Sequence, residues 1–307
     1  MLRSVEIELF VQFSPPFANT FSVGHNNKET MRQIFTLIYF LILSGFSYSQ
    51  SVDEIVKRFV STNEVQYEHI GFGSTNSKLY QDYLTFTKLA DNKELIKLTN
   101  HNNAVVRCYA GWALIDRKYS RLDSIYQSFL NNDAEVTTYS IDIKDNDKIS
   151  SEFYHRYWNS LDFKDKAKDS VLFKLDSLTL YNSKSDWLLI LRALENRIYP
   201  KSYNKQIEYL AFEKNNRDAI FYLSNWYKAE YVDKLKPALI KYLQTTDFKD
   251  VGTTPYYQVI EELLKLKDEE IEQIIVEKLR KDKHWEFDKQ RFVNLLHDNS
   301  IYESDLQ

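Results

Sequence analysis

The chain has 307 residues, of which 43% are hydrophobic, 27% are charged and 15% are aromatic, and its net charge is −4. This composition is typical of a globular protein with a substantial core and argues against long disordered regions. Six Gly and five Pro are few for this length, which disfavours turn-rich β architectures, and the acidic balance gives no electrostatic reason to expect binding to nucleic acid or to an anionic membrane.

The most specific signal near the N-terminus is the stretch MRQIFTLIYFLILSGFSYSQ, which begins at Met31. It has a charged second residue, an apolar run over Ile34–Leu43 and a small-x-small site at Ser47–Ser49. That order is typical of a secretory signal peptide, and the apolar run is too short to span a bilayer comfortably. A short membrane anchor or a buried helix is the alternative. We therefore predict a signal peptide over Met31–Ser49, cleaved before Gln50.

The predicted signal peptide divides the chain into three parts. Residues 1–30 fit no exported protein, so Met31 is the better start and this segment is interpreted as an over-annotated extension. Residues 50–307 are expected to form a single domain in the periplasm or the secreted space. Its one cysteine, Cys108, cannot form an internal disulfide, so the stability of this domain must come from packing.

Beyond the signal peptide, segments with helical spacing are separated by short polar breaks. The first clear one, Asn103–Lys118, has two adjacent apolar stripes, whereas a helix on the surface of a globule needs only one. We therefore expect this helix to have neighbours on both sides. Four further helices are predicted along the chain, at Asp186–Asn196 with Trp187 on its apolar face, Asn216–Ala229, Thr254–Lys265 and Asp268–Lys281.

Residues typical of helix N-caps recur at a regular interval. Asn216 and Thr254 are 38 residues apart, and Asn103 precedes Asn216 by 113 residues, close to three such intervals. A repeat of roughly 40 residues built from two helices is the signature of an α-solenoid. The expected fold class is therefore all-α, an α-α superhelix of antiparallel helix pairs. The exception is residues 136–147, where apolar residues alternate and predict a short extended insertion.

Two segments resemble the helices of a HEAT repeat. NNAVVRCYAGWAL (Asn102–Leu114) is similar to the second helix of a unit, with a polar N-cap, a Val-Arg pair and small residues after it. VDKLKPALIKYL (Val232–Leu243) looks like a first helix, including its interior proline, Pro237. The fuller resemblance covers about residues 91–133 and 206–282, and it implies a HEAT-like solenoid.

The HEAT resemblance also implies a role for two polar residues. In HEAT proteins, the positions that match Asn103 and Arg107 usually make a polar ladder between neighbouring units. The implied role of both residues is therefore structural. A contact between Arg107 and a ligand is the alternative interpretation.

Patterns typical of catalytic or metal sites do not converge anywhere in the sequence. Glu152 and His155 have the Glu-x-x-His spacing of di-iron carboxylate bundles, but there is no second copy, so a solvated polar face is expected. His284 and Glu286 have the His-x-Glu spacing of zinc deaminases, without the paired cysteines of that site. The motifs of α/β-hydrolases, phosphate-binding loops and zinc proteases are absent. We therefore predict no enzyme, no metal and no cofactor.

Aromatic residues are the best candidates for ligand contacts. Tyr222, Trp226, Tyr227 and Tyr231 fall close together in the sequence. Exposed Tyr and Trp side chains on a concave surface can stack on peptides or on sugars, although helical spacing assigns most such residues to the core. The basic stretch 277–291 contains nearly as many acidic residues and indicates a surface of mixed charge.

These observations together favour a non-catalytic scaffold of the cell envelope or secreted space, which binds an unidentified protein or peptide along a solenoid groove. The alternative is an envelope protein that binds carbohydrate or another small ligand through the aromatic cluster. Neither a nucleic-acid partner nor a membrane span after signal cleavage is expected. An enzyme with an unfamiliar site would need a deep pocket that holds both histidine and carboxylate side chains.

Overall fold

The computed structural model describes residues 51–306 of the protein. Within this range there are fifteen α-helices and four short β-strands, so the described part of the chain is mostly helical. None of the helices in this range is both long enough and apolar enough to cross a membrane. The predicted signal peptide at 31–49, the extension before it and the cleavage position at Gln50 lie outside the described residues.

The N-terminal half of the described chain contains six of the helices and all four of the strands. The helices are α1 (Val52–Thr62), α2 (Lys78–Leu89), α3 (Asn92–Leu98), α4 (Ala104–Asp116), α5 (Leu122–Asn131) and α6 (Ile149–Asn159). The strands are β1 (Val65–Ile70), β2 (Thr75–Asn76), β3 (Glu135–Ile141) and β4 (Ile143–Lys148).

The C-terminal half of the described chain is built from helices and short helical turns. The helices are α7 (Phe163–Lys166), α8 (Ser170–Tyr181), α9 (Trp187–Asn196), α10 (Asn204–Glu208), α11 (Arg217–Thr245), α12 (Phe248–Val251), α13 (Thr253–Leu264), α14 (Glu269–Lys281) and α15 (Lys289–His297). A π-helical turn, Tyr209–Glu213, continues α10, and 3₁₀ turns occur at Lys201–Tyr203, Lys283–Asp288 and Glu303–Leu306.

Two of the predicted N-caps are confirmed. The Asn103 side-chain oxygen accepts a hydrogen bond of 3.1 Å from the Val106 N–H at the start of α4, and Asn216 accepts one of 2.9 Å from the Ala219 N–H at the start of α11. A side-chain oxygen at this position satisfies one of the free N–H groups in the first turn of a helix. The cap positions therefore set the N-terminal boundaries of both helices.

The prediction of an N-cap at Thr254 is wrong. Helix α13 begins one residue earlier, at Thr253, and it has no side-chain cap. The physical reason is Gly252, whose φ of 88° lies in a region that favours glycine and lets the chain turn directly from α12 into α13.

Helix α11 consists of two helical segments that meet at a kink, which agrees with the separate helices predicted at 216–229 and 232–243. The kink lies at Tyr227, whose φ of −137° and ψ of 23° are not helical. Pro237 lies inside the helix after this point. The bend is therefore at an aromatic residue ten positions before the proline.

The extended insertion predicted over residues 136–147 is confirmed, and it belongs to a larger element. β3 and β4 form an antiparallel hairpin, β3 pairs in parallel with β1, and β1 pairs with β2, so that the sheet has the order β2-β1-β3-β4. The expectation of an all-α fold is therefore wrong for this part of the chain. β1 escapes sequence analysis because only Val65 of its six residues is buried, which leaves no alternating pattern to detect.

Helix α4 is buried on all sides, as its two apolar stripes predict. Eleven of its thirteen residues are buried, because it contacts α1, α2, α3, α5, α6 and the sheet. Gly111 allows the closest approach: a Cβ at this position would lie 2.9 Å from a ring carbon of Phe129 and 3.0 Å from one of Phe153. This helix is therefore the centre of the N-terminal half.

The buried apolar residues form two clusters that both include parts of α8 and α9. One lies mainly among α1 to α6 and the other among α9 to α15. A buried polar network lies on the shared helices, where the Asp176 carboxylate accepts hydrogen bonds from Tyr154 at 2.6 Å and from Asn196 at 2.9 Å, and pairs with Arg197 at 3.0 Å. Burial raises the pKa of Asp176 to about 6, although these partners lower it.

Candidate ligand-binding groove

An open groove with a volume of about 810 Å³ crosses three helices, α9, α11 and α13. α11 packs beside both of the others. Each helix contributes side chains that are one turn apart and so lie on one face of that helix. Among them are Trp187 and Leu191 from α9, Tyr222 and Trp226 from α11, and Gln258 and Glu262 from α13.

The structure brings only two of the four predicted aromatic residues into this groove. Trp226 is exposed there, and Tyr222 is almost buried at its floor, where the phenol oxygen accepts a 2.7 Å hydrogen bond from the Tyr199 N–H. Tyr227 is half-buried, and its phenol donates to the Tyr199 carbonyl at 3.1 Å. Tyr231 packs against the π-helical turn instead. The predicted cluster is therefore split over two surfaces of α11.

A second exposed indole in the groove was not identified as a site residue from the sequence. Trp187 is the first residue of α9 and is 61% exposed, while Trp226 on the neighbouring helix is 54% exposed. The Arg217 guanidinium lies 5.8 Å from the centre of the Trp187 ring. Trp187 does lie on the predicted apolar face, but that face opens to solvent at its first turn. Its position next to the N-cap Asp186 is the signal that could have indicated this.

The charged side chains that line the groove already have partners within the protein. Arg217 lies 2.7 Å from Asp218, and the Lys265 ammonium lies 2.5 Å from Glu262. An ion pair of this kind offers little net charge to a ligand. The remaining lining charges are paired in the same way: Arg197 with Asp176, Glu195 with Arg192, and Glu261 with Lys265.

Two carboxylates in the groove have different electrostatic environments. Burial raises the pKa of Glu262, but hydrogen bonds from Lys265 and from the Ser224 hydroxyl outweigh it, so the pKa lies below its ordinary value. Burial raises the pKa of Asp218 above its ordinary value, although Arg217 lowers it. Both side chains therefore hold their basic partners in place at the wall of the groove.

Asn103 and Arg107 lie outside the groove, on and before α4. The Asn103 amide donates a 2.9 Å hydrogen bond to the side chain of Asn63, the C-cap residue that follows α1. The Arg107 guanidinium donates to the carbonyls of Thr99 and Asn132, the C-cap residues that follow α3 and α5. Carbonyls at helix C-termini lack partners within the helix. These two residues therefore connect the ends of three helices to α4.

The expectation that Glu152 lies on a solvated face is wrong. Glu152 is 4% exposed, and its carboxyl group accepts a 2.7 Å hydrogen bond from the Tyr67 phenol of β1. Burial raises the pKa of Glu152 to about 7 and lowers that of His155 below its ordinary value. The sheet covers this face of α6, and because β1 could not be predicted, neither could the burial of Glu152. Among residues 51–306, no three or more His, Cys, Asp or Glu side chains are grouped so that they could hold a metal ion.

A second open cleft, of about 1030 Å³, lies at the C-terminal end of α14 and includes His284 and Glu286. Its walls carry charges of both signs, which partly cancel. The exposed ring of Phe287 lies beside His284, with 5.0 Å between the ring centres. The basic residues are Lys249, Lys278, Lys281 and Lys283, and the acidic residues are Asp247, Asp282 and Glu286.

The groove across α9, α11 and α13 can stack a ligand on two indoles and can form hydrogen bonds to it through neutral amides. The described residues that line it include no histidine and no cysteine. A comparison of the chain with protein-family models, with curated proteins and with solved structures finds no match in any of the three.

Proposed function

We propose that this protein is a non-catalytic scaffold that binds a peptide, or a segment of another protein, in the groove across α9, α11 and α13. The observation that carries the proposal is the pair of indoles, Trp187 and Trp226, which are more than half exposed on two adjacent helices of one groove. Large aromatic side chains are enriched among the residues that contribute most to binding energy at interfaces. Burial of both rings by a ligand would remove their apolar surface from water.

We further propose that the helices form a HEAT-like stack. Two features support this: α4 has neighbours on all sides, and α9, α11 and α13 lie side by side although other helical segments separate them in the chain. In a solenoid, each unit contacts its neighbours and the stack leaves one elongated surface free. The groove is then part of that surface.

Export belongs to the same proposal and has its own test. The signal-peptide pattern over Met31–Ser49 supports a mature chain that starts at Gln50. N-terminal sequencing of the protein purified from its native host should give Gln50 as the first residue. A mature chain that retains Met1 or Met31 would contradict export by this route.

Site-specific photocross-linking in intact cells tests the binding function. A benzophenone amino acid at position 226 should form an adduct with a defined partner protein. The matched control is position 302, because Tyr302 is also 54% exposed but does not line the groove. Equal labelling at both positions, or no protein adduct at position 226, would rule out the groove as a protein-binding site.

A carbohydrate ligand is the second candidate, because exposed Tyr and Trp rings can also stack on sugars. Asn225 and Gln258 present neutral amides beside the indoles, and these can pair with hydroxyl groups. Titration with neutral cell-wall oligosaccharides, followed by tryptophan fluorescence, tests this candidate. A saturable change that is lost in Trp226→Ala, together with the absence of a protein adduct at position 226, would favour carbohydrate over peptide.

A further inference from the structure

We infer that the groove recognises an uncharged, proline-rich segment of about six residues in the polyproline II conformation. This inference rests on the proposed peptide-binding function and adds the chemical class, the conformation and the length of the bound segment. Three properties of the groove lead to it: the pairing of its charges, its free hydrogen-bond donors and its width across three helices.

The pairing of charges disfavours a charged ligand. Each charged side chain in the lining lies within 4 Å of an opposite charge, as in the pairs Arg217–Asp218 and Lys265–Glu262. A charged residue of the ligand would have to displace one of these partners or remain unpaired as the groove loses water, and both are unfavourable. An uncharged segment avoids this cost.

The free donors of the groove suit the carbonyl groups of an extended chain. Within the described part of the protein, the indole N–H groups of Trp187 and Trp226 and the amides of Asn225 and Gln258 make no hydrogen bond. A polyproline II segment has no internal hydrogen bonds, and its carbonyls are all available to such donors. Its proline rings dock on aromatic side chains, which is how aromatic-lined grooves recognise this conformation.

Two other modes of peptide recognition fit the groove less well. Addition of a β-strand needs an unpaired strand edge, but the walls here are helices whose backbone groups are already bonded. A bound amphipathic helix needs a continuous apolar surface. The ion pair Arg217–Asp218 lines the groove beside Trp187, with the guanidinium 5.8 Å from the centre of that ring, and a bound helix would cover it. Recognition of an extended segment by side chains requires neither an unpaired strand edge nor a continuous apolar surface.

The width of the groove sets the length of the segment. Packed helices lie about 8–10 Å apart, so a path across three of them is about 20 Å long. A polyproline II chain rises about 3.1 Å per residue, so about six residues cover this distance. A segment of about three residues would span only α9 and α11, with their two indoles, and would not reach Gln258 on α13.

Binding of labelled peptides, followed by fluorescence anisotropy, tests the inference. The probes are Ala-Pro-Pro repeats of three, six and nine residues, a hexapeptide with every proline replaced by alanine, and a hexapeptide with two lysines. We expect affinity to rise at least about tenfold from three to six residues and to change less than about twofold from six to nine. The alanine and lysine variants should each bind at least about tenfold more weakly, and a change from 50 to 500 mM NaCl should have less than about a twofold effect.

Variants of the protein localise the binding. Trp226→Ala should weaken binding of the six-residue probe by about tenfold or more, Trp226→Phe should retain part of the affinity, and Tyr302→Ala should leave it unchanged. Tighter binding of the lysine peptide, strong salt dependence, or no binding of any proline peptide at millimolar concentration would overturn the inference.

The cross-link at position 226 separates the two proposals. If mass spectrometry maps the adduct to a charged or helical segment of a partner, the polyproline inference fails while the binding function stands. If no protein adduct forms, the binding function itself fails. If the adduct maps to a neutral, proline-rich segment, both are supported.

Discussion

The Tyr67 phenol donates a 2.7 Å hydrogen bond to the carboxyl group of Glu152, and this bond joins β1 to the buried face of α6. Burial raises the pKa of Glu152 to about 7, Asp147 adds to the rise, and the bond from Tyr67 opposes it. The neutral form of the carboxyl group is therefore favoured in the folded protein below about pH 7. One face of the sheet therefore packs against the Glu152 carboxyl group, whose pKa lies near neutral pH.

Glu152→Gln should make the stability less dependent on pH. Because the pKa of Glu152 is raised from 4.5 to about 7 on folding, the wild-type protein loses stability as pH rises from about 4.5 to about 7, and the loss is complete above that. The glutamine variant lacks this loss and should be more stable by up to about 3 kcal/mol at pH 8. The two proteins should be nearly equal at pH 4. Urea denaturation at pH 4, 6 and 8 measures the difference.

Glu262→Gln is the control of opposite sign. The pKa of Glu262 is lowered on folding, so its charge stabilises the protein above the ordinary pKa, and this contribution disappears as pH falls through the folded value. The variant should therefore be less stable than wild type at pH 8. If the two glutamine variants shift stability in the same direction at pH 8, the environment assigned to Glu152 is wrong.

Arg107→Met should destabilise the protein by about 2 kcal/mol, because the carbonyls of Thr99 and Asn132 lose a charged donor. Arg107→Lys should recover only part of this loss, since one ammonium does not reproduce the two-pronged geometry of a guanidinium. Thermal unfolding followed by circular dichroism checks both variants. Equal stability of the methionine variant and wild type would mean that these bonds contribute nothing to the fold.

Gly111→Ala should destabilise the protein although alanine is the better helix former. The added Cβ would contact Phe129 at 2.9 Å and Phe153 at 3.0 Å. Overpacking of this kind costs about 1–3 kcal/mol, against a gain of about 1 kcal/mol in helix propensity. Addition of Phe129→Leu should restore part of the stability. A double-mutant cycle of unfolding free energies measures this coupling, and a coupling of zero would contradict the contact.

Ile141→Asn should stabilise the protein by about 1 kcal/mol. Ile141 has a φ of 53°, which is unfavourable for a β-branched side chain, and asparagine adopts this conformation more readily. The side chain is exposed, so the substitution removes little buried surface. Ile143→Asn is the matched control, because Ile143 is also exposed but has no positive φ, and it should not stabilise the protein. Chemical denaturation of both variants compares them.

Local patterns were sufficient to predict several helices and the burial of α4. Asn103 and Asn216 carry their capping function in their own side chains, and the two apolar stripes of α4 already require neighbours on both sides. Both signals depend on residues within one or two turns. For this reason they are visible without knowledge of the rest of the fold.

The pairing of the sheet and the exposure of Trp187 in the groove could not be predicted from local patterns, because both depend on contacts between segments far apart in the sequence. β1 pairs with β3 from the other end of the N-terminal half, and its own residues show no alternation of buried and exposed positions. Trp226 was identified from the sequence, but Trp187 was not, because its exposure depends on where α9 meets α11. The burial of Glu152 has the same origin, since only the docked sheet removes it from water.

The parallel pairing of β1 with β3 also determines how the molecule should open. Val65 pairs with Thr138, so helices α2 to α5 lie within a loop of chain that the sheet closes. In an ideal array of repeats, end units can fray one after another. Here, amide protons from α2 to α5 should exchange with solvent deuterium as one cooperative block, whereas α13 to α15, outside the closure, can open by themselves. The strands that interrupt the helical pattern thus hold together the two ends of the chain segment that contains α2 to α5.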